Sequence, residues 1–465
     1  MNNHRKKIRN FEGLTLIKSF HKLSFAILLG LLAIKLAGQD NKTESASTLK
    51  TDSLSLNQII NQVIQNHPSI KEAEEALNIA DAKIGLATSG YFPNVDLSGS
   101  YTRINPVPQL DESLFFPGKT GKINMAPNNN YNAAINYNQT IYDFGKTGKN
   151  VKVENENKNL AEMSVEQVKQ NMTLAATASY YTLLYLQEAI KIKDEELANL
   201  QKHLEYVQKK KETGSATQYE ILSTQVRISN VESQKIDLET GRRVQLSVLN
   251  SLIGQPEYTE LNIKKELNTQ MPEIMQDSLV SYALKHRDEM RIAKEKSVIA
   301  ELQYKLAKAQ TNPTINLYGS AGEKNGYFPN VDSLNFNYSV GVSLKIPLFD
   351  ATRKSNNVRL SKSNIQNSLY EIEITRRNIT NEVVQSNANV ISSGKKINQF
   401  TLQLEQAQKA LKLAEINYES GAITNLDLLD AATSVSESRL QLLKAEIDNV
   451  SNIIKLKISL GYQLY

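Results

Sequence analysis

The sequence predicts an α+β membrane protein, duplicated once within the chain, in which long coiled-coil helices carry a small set of barrel-forming β-strands. Three observations predict it. Two segments 207 residues apart nearly coincide: ETGSATQYEIL around Gly214 and ESGAITNLDLL around Gly421, with Thr217 matching Thr424, Leu222 matching Leu429 and Gly254 matching Gly461. The same offset relates two apolar ladders with a step of seven, Ala176, Leu183, Ile190, Leu197, Leu204 and Val383, Val390, Ile397, Leu404, Leu411. A long repeat carrying heptads implies helices that supercoil on neighbours. Finally, Phe336, Tyr338, Val340, Val342, Leu344, Ile346 and Leu348 alternate with Asn335, Asn337, Ser339, Gly341, Ser343 and Lys345, a period of two with an aromatic start.

The elements follow in order. Residues 1–38 read as a signal peptide: Arg5, Lys6, Lys7, Arg9, Lys18 and Lys22 precede an apolar run over 25–34, and small Ala37 and Gly38 stand before Gln39. A membrane anchor is the other reading, but the run is far short of the roughly 20 residues that span a bilayer. Residues 39–53 are polar and are expected to be a disordered N-terminus.

A first repeat then covers 54–254. It opens with a short helix in LSLNQIINQVIQ and, after Pro68, a longer one over 69–88. A strand is expected over 95–103, where Val95, Leu97, Gly99 and Tyr101 share a face. A turn-rich stretch with Pro106, Pro108, Pro117 and Pro127 leads to a second strand over 131–143. No Pro interrupts 146–211, enough for a helix of roughly 100 Å at about 1.5 Å per residue. Gly214 marks a turn, and a return helix runs over 217–253.

After a linker at 255–277, the second repeat, 278–465, restates the plan. It has a short helix, a helix over 288–310, strands over 314–322 and 335–348, a long helix over 355–420, the Gly421 turn and a return helix over 424–460. Two hairpins of a soluble sandwich would account for the alternation, but that fold needs many more strands. Strands of this length suit a membrane barrel, for which about 9–11 residues suffice. Four strands cannot close a barrel, whereas three copies supply twelve.

Composition removes other classes. There is no Cys, hence no disulfide, thiolate metal site or Cys nucleophile, and the five His form no metal-binding motif. Residues 1–38 carry seven Lys/Arg and one acidic side chain; without them 47 basic and 48 acidic groups remain, a net of −1, which gives no reason to expect nucleic acid as a partner. Two GKT triplets begin at Gly118 and Gly145, but a phosphate-binding loop needs Gly five residues earlier, where Ser113 and Thr140 stand. No enzyme activity and no cofactor are expected.

The order of elements, twice over, resembles the TolC-type outer-membrane efflux proteins. The most specific piece is Tyr418-x-x-Gly421-x-x-Thr424-x-x-Asp427-x-Leu429-Asp430-Ala431, with a weaker copy around Gly214. The resemblance implies a homotrimer in the cell outer membrane. Its twelve-stranded transmembrane barrel would continue as a coiled-coil tunnel into the periplasm, bound at its tip by a periplasmic adaptor (a membrane fusion protein) and loaded by an inner-membrane pump of RND or ABC type. The function implied is the passive exit duct of a tripartite efflux or type I secretion system; a periplasmic coiled-coil adaptor or structural protein is the alternative.

By the same resemblance Asp427 and Asp430, with Glu220 at the place matching Asp427, form carboxylate rings at the pore constriction. The other reading makes them solvated residues at a helix start. Tyr418 either bonds within the gate or ends the ladder. Gly214, Gly421, Thr217, Thr424, Leu222 and Leu429 fall at the periplasmic tip and its adaptor contact, where the two leucines also suit packing across the turn. Family members carry an Arg two positions after the tip glycine that clamps the closed state; here that position is Ile423, so the closing bonds must differ.

Overall fold

A computed structural model describes residues 53–114, 117–267, 270–271 and 278–464. The expected signal peptide, nearly all of the expected disordered N-terminus, and part of the linker lie outside the described residues.

The first repeat contains α1 (Leu56–Asn66), α2 (Pro68–Thr88), β1 (Asn94–Arg103), β2 (Gln109–Asp111), β3 (Lys122–Asn124), β4 (Asn129–Tyr142), α3 (Lys146–Glu212) and α4 (Gln218–Ile253). The second contains α5 (Leu279–His286), α6 (Asp288–Ala309), β5 (Thr314–Lys324), β6 (Asn335–Lys345), α7 (Arg353–Glu419) and α8 (Asn425–Ser459). The small β2–β3 hairpin lies in the stretch that sequence alone assigned to turns.

Local chemistry explains the boundaries. Ser55 and Gln58 form a capping box on α1, and Pro68, which needs no N–H partner there, opens α2. The two 67-residue helices, α3 and α7, begin and end 207 residues apart. Each follows a corner of two consecutive left-handed residues, Phe144 and Gly145 in one repeat, Ala351 and Thr352 in the other. Asp143 and Asp350 cap these helices: Asp143 accepts from the N–H groups of Gly145, Lys146 and Thr147 at 2.6–3.0 Å, and Asp350 from that of Lys354 at 2.9 Å. The expected strand over 335–348 is shorter than its alternation suggested: β6 ends at Lys345, opposite Thr314, because Pro347 has no N–H for a ladder and β5 begins only after Pro313.

The four long strands form one antiparallel sheet, ordered β1-β4-β5-β6. Its register brings the separate alternations into line. Leu97 pairs with Ile135, Ile135 with Ala321 and Ala321 with Tyr338, giving an apolar row across the sheet. Val95, Leu97, Tyr101, Ile135, Phe336, Tyr338, Val340, Val342 and Leu344 stand exposed on this face. The opposite face is polar and cross-linked: the Asn136 amide donates to Asp96 and Ser98 at 2.9 Å, and Ser320 donates to Asn136 at 3.1 Å. The sheet has little core of its own, and β1 and β6 present free edges of ten and eleven residues.

The buried core lies among the helices. One cluster joins Ile59 and Val63 of α1, Tyr180, Leu183 and Leu184 of α3, Leu249 and Ile253 of α4, and Leu443, Ile447 and Ile454 of α8. A second joins α5 and α6 to Ile379, Val383 and Val390 of α7 and Leu456 of α8. Residues 255–267, expected as linker, pack onto the first cluster: Leu261 and Ile263 are buried, Leu54 N–H donates to Asn262 O at 2.8 Å, and Tyr180 donates its hydroxyl to Lys264 O. Among the described residues, no helix is long and apolar enough to cross a membrane.

The heptad ladders are only partly buried within the chain. Ala176, Leu183, Val383 and Val390 are buried, whereas Ile190, Leu197, Leu204, Ile397, Leu404 and Leu411 are half-exposed. Toward the turn the buried seam of α3 follows a different set, Ala189, Lys193, Glu196, Leu200 and Val207.

Candidate functional site

The end of the molecule where α3 turns into α4 and α7 into α8 holds the residues singled out by the duplicated motif. Each turn is a Schellman closure. Ser215 N–H bonds to Lys210 O at 2.8 Å and Gly214 N–H to Lys211 O at 2.9 Å; Ala422 N–H bonds to Asn417 O at 2.8 Å and Gly421 N–H to Tyr418 O at 3.1 Å. Gly214 and Gly421 have φ of +76° and +77°, and a Cβ at either would meet nothing within 4 Å. The left-handed backbone, not crowding within the chain, calls for glycine here.

Both return helices open with a capping box. Thr217 and Glu220 bond reciprocally at 3.1–3.2 Å, as do Thr424 and Asp427 at 2.9–3.3 Å. Asp427 also accepts from the Thr424 hydroxyl at 2.6 Å, and the Thr424 hydroxyl and N–H hold its carboxyl below the usual aspartate value. Asp427 is therefore exposed and ionised while closing a helix start.

The two hairpins meet through side chains. Tyr418, buried at the end of α7, donates its hydroxyl to Glu220 at 2.9 Å. Burial, and then the adjacent Glu220 carboxylate, push the Tyr418 pKa well up and keep the phenol protonated. Partial burial pushes Glu220 up, but the Thr217 N–H, the Tyr418 hydroxyl and nearby Lys210 outweigh it and hold its pKa below the ordinary value. Lys210 Nζ lies 4.6 Å from the Tyr418 ring centre and 4.9 Å from that of Tyr206. Asp430, matched in the first repeat by Ser223, pairs with Arg227 at 2.5 Å.

The structure thus bridges the two hairpins at two separate places, Tyr418 to Glu220 and Asp430 to Arg227, while Asp427 bonds only to Thr424 of its own helix start. Leu222 is exposed. Leu429, for which the sequence left packing across the turn and an adaptor contact open, is buried against Leu200 and Val231, because its position on α8 faces α3 and α4. Sequence reasoning missed Arg227, which takes up Asp430, and the pair His203 and Asn425, whose ring nitrogen and amide oxygen are 2.6 Å apart. A cleft of about 730 Å³ beside these bonds is lined by Glu196, His203, Tyr206, Glu415, Tyr418 and Arg439. No group of three or more potential metal ligands occurs among the described residues.

A duplicated helical hairpin joined to a four-stranded sheet with one apolar face, and linked at its turns by polar bonds, is the TolC-type fold of outer-membrane channels. The chain belongs to the Outer membrane efflux protein family, whose sequence profile matches residues 59–255 and 279–462. It is 22% identical over 419 residues to Nodulation protein T of Rhizobium leguminosarum bv. trifolii, covering 88% of this chain and 86% of that protein. It is 20% identical over 419 residues to Outer membrane protein TolC of Escherichia coli K12, covering 87% and 82%. Among solved structures, VceC, an outer membrane protein of Vibrio cholerae, superposes with a TM-score of 0.71 at 20% identity over 87% of this chain and 96% of that one. Membership makes this an outer-membrane transport protein rather than an enzyme.

Proposed function

We propose that three copies of this chain form one duct across the outer membrane and into the periplasm, the passive exit of a tripartite efflux or type I secretion system. The carrying observation is the sheet: a continuous apolar face, a polar face opposite, and two unpaired edges. An apolar face of this extent suits lipid, and free edges of matching length suit pairing of β6 with β1 of the next copy, which closes twelve strands around a polar lumen. The half-exposed heptad ladders and the exposed stripe Tyr219, Leu222, Val226, Ile236 and Val244 on α4 give the neighbouring copies helical surface to cover.

The hairpin turns are the periplasmic tip. Here an adaptor contacts the exposed turns at Gly214, Thr217, Leu222, Gly421 and Thr424, and an RND or ABC pump loads the duct. Asp427 and Asp430, repeated by the three-fold axis, ring the constriction with Glu220 and Tyr418 behind them. Carboxylate rings in a narrow pore favour cations. The adaptor alternative has no use for an apolar sheet face.

The test is single-channel recording of detergent-extracted trimer in planar bilayers, with Asp427→Ala/Asp430→Ala beside wild type. Small cation-selective steps that grow or lose selectivity in the variant are expected. Discrete steps unaffected by the substitutions remove the constriction assignment. No steps from properly trimeric protein would sink the duct.

A further inference from the structure

The seam between the two hairpins changes character along its length. Away from the turns it is apolar: Tyr180, Leu183 and Leu184 pack against Leu443, Ile447 and Ile454. Toward the turns it becomes polar. Ser436 of α8 donates its hydroxyl to Glu196 of α3 at 2.5 Å, and Lys193 bonds the same carboxylate oxygen at 2.8 Å; all three side chains are buried. One turn further on, Leu200, Val231 and Leu429 make a small apolar contact. Beyond it stands the pair His203 and Asn425.

Asn425 is the first residue of α8, and only 4% of it is exposed. Its Nδ2 lies 3.4 Å from the Glu220 carbonyl, 3.2 Å from Ser223 Oγ and 3.3 Å from Thr224 Oγ1. A carbonyl can only accept, so this neighbour fixes the amide orientation and turns Oδ1 toward His203. Oδ1 in turn can only accept, so the imidazole presents Nε2–H across the 2.6 Å contact. One buried amide therefore ties α8 to α4 on one side and to α3 on the other. Ile423, two residues before it in the turn, offers no side-chain polar group.

We infer that Asn425 and His203 are the positioning pair that holds the tip closed, locking the second hairpin onto the first. The inference rests on the duct reading and deepens it by naming the bond that opening must break. The choice of chemistry fits that task. Separating apolar surfaces exposes them to water at a cost proportional to area, whereas hydrogen bonds broken at a seam are replaced by bonds to water. Buried polar seam residues also fix one register against its neighbours, as polar a positions do in coiled coils. The seam is built to part at the turns and to stay joined at the apolar end. With Asn425 truncated, Ser223 and Thr224 lose a partner and His203 loses its acceptor, so the closed arrangement loses bonds that the open one never had.

The experiment is planar-bilayer recording of the full-length, detergent-extracted protein, comparing Asn425→Ala, His203→Leu and His203→Gln with Tyr418→Phe and wild type. Trimer content and thermal stability are measured on the same samples. Asn425→Ala and His203→Leu are expected to raise single-channel conductance several-fold. His203→Gln, whose side-chain N–H can still donate to Asn425, is expected to stay near wild type. If Asn425→Ala does not assemble, the two His203 variants decide. Assembled Asn425→Ala and His203→Leu that conduct like wild type, while Tyr418→Phe opens, overturn the latch and leave the duct intact. Equal opening by His203→Gln and His203→Leu also overturns it, since packing rather than the bond would then govern. If neither wild type nor any variant gives discrete steps, the duct reading itself falls and takes the latch with it.

Discussion

Tyr418 and Glu220, 198 residues apart, are joined by a 2.9 Å hydrogen bond from the last turn of one long helix to the first turn of the other repeat's return helix. The carboxylate accepts at both oxygens, one from Tyr418 and the other from the Thr217 N–H at 3.1 Å. Its pKa is held below the ordinary glutamate value. A carboxyl with a depressed pKa adds stability that is complete above its ordinary value and is lost as pH falls through the depressed one. The Glu220–Tyr418 link should therefore keep its full strength from neutrality down to about pH 4.5 and weaken below that. Conductance recorded across this range checks it. Glu220→Gln should remove the acid limb, and Tyr418→Phe should raise conductance at every pH.

Arg227 and Asp430 form a second link, 2.5 Å apart, with the Arg side chain 26% and the Asp side chain 61% exposed. Exposed pairs couple by only about 0.2–1 kcal/mol and are screened by salt. A double-mutant cycle of Arg227→Ala and Asp430→Ala, read as thermal stability of the closed trimer, should give a coupling in that range that fades by 1 M salt. The exchanged pair Arg227→Asp/Asp430→Arg should recover part of it. A coupling of several kcal/mol would mean that assembly buries the pair.

Arg287, at the junction of α5 and α6, is nearly fully buried. It grips Glu289 through two nitrogens at 2.6 and 2.8 Å and reaches Glu382 of α7 at 2.7 Å. Burial pushes Glu289 up, but the guanidinium outweighs it and holds the carboxyl below the usual glutamate range. Removing one partner of a buried pair costs about 3–5 kcal/mol. Glu382 is about half exposed, which argues for the lower end. Arg287→Ala should lower the melting temperature markedly, and Arg287→Met/Glu289→Leu should recover much of the loss. Because Arg287 lowers a Glu289 pKa that burial alone would raise, the wild-type advantage over Arg287→Ala should be greatest at neutral pH and shrink on acidification.

The fold was legible because its signals are long. A strand alternation of seven matches, helices of 67 residues without Pro and a repeat of Gly-centred turns each survive errors of a residue or two. The β2–β3 hairpin escaped notice because three-residue strands carry no periodicity. At the tip the motif singled out Glu220, Tyr418, Asp427 and Asp430, expected at a pore constriction, but carried no sign of the bonds these side chains make. The apolar ladder pointed to Ile190, Leu197 and Leu204, whereas the seam buries Lys193, Glu196, Leu200 and Val207 and half-buries His203. A ladder drawn through apolar residues alone passes over a seam whose members are polar. Asn425 was invisible for the same reason: a buried amide at a helix start looks in sequence like any exposed one.

The sheet register makes a prediction that separates two glycines of similar sequence context. Gly322 pairs with Ala134, and a Cβ added there would stand 2.0 Å from the Ala133 carbonyl oxygen and 2.6 Å from the Ala134 Cα. Both are backbone atoms, so no side chain can swing aside and the β4–β5 ladder itself must shift. Gly99 pairs with Ala133 on the other side of β4, and its added Cβ would find nothing nearer than the Asn132 carbonyl at 4.0 Å. Gly322→Ala should lower the yield and heat resistance of the assembled protein on gels run without boiling, whereas Gly99→Ala should leave both unchanged. The two substitutions add the same methyl to neighbouring strand pairs, so propensity and hydrophobicity cancel and only the close backbone approach differs. Equal tolerance of both would contradict the β4–β5 register, and with it the alignment of apolar rows that gives the sheet a single lipid-compatible face.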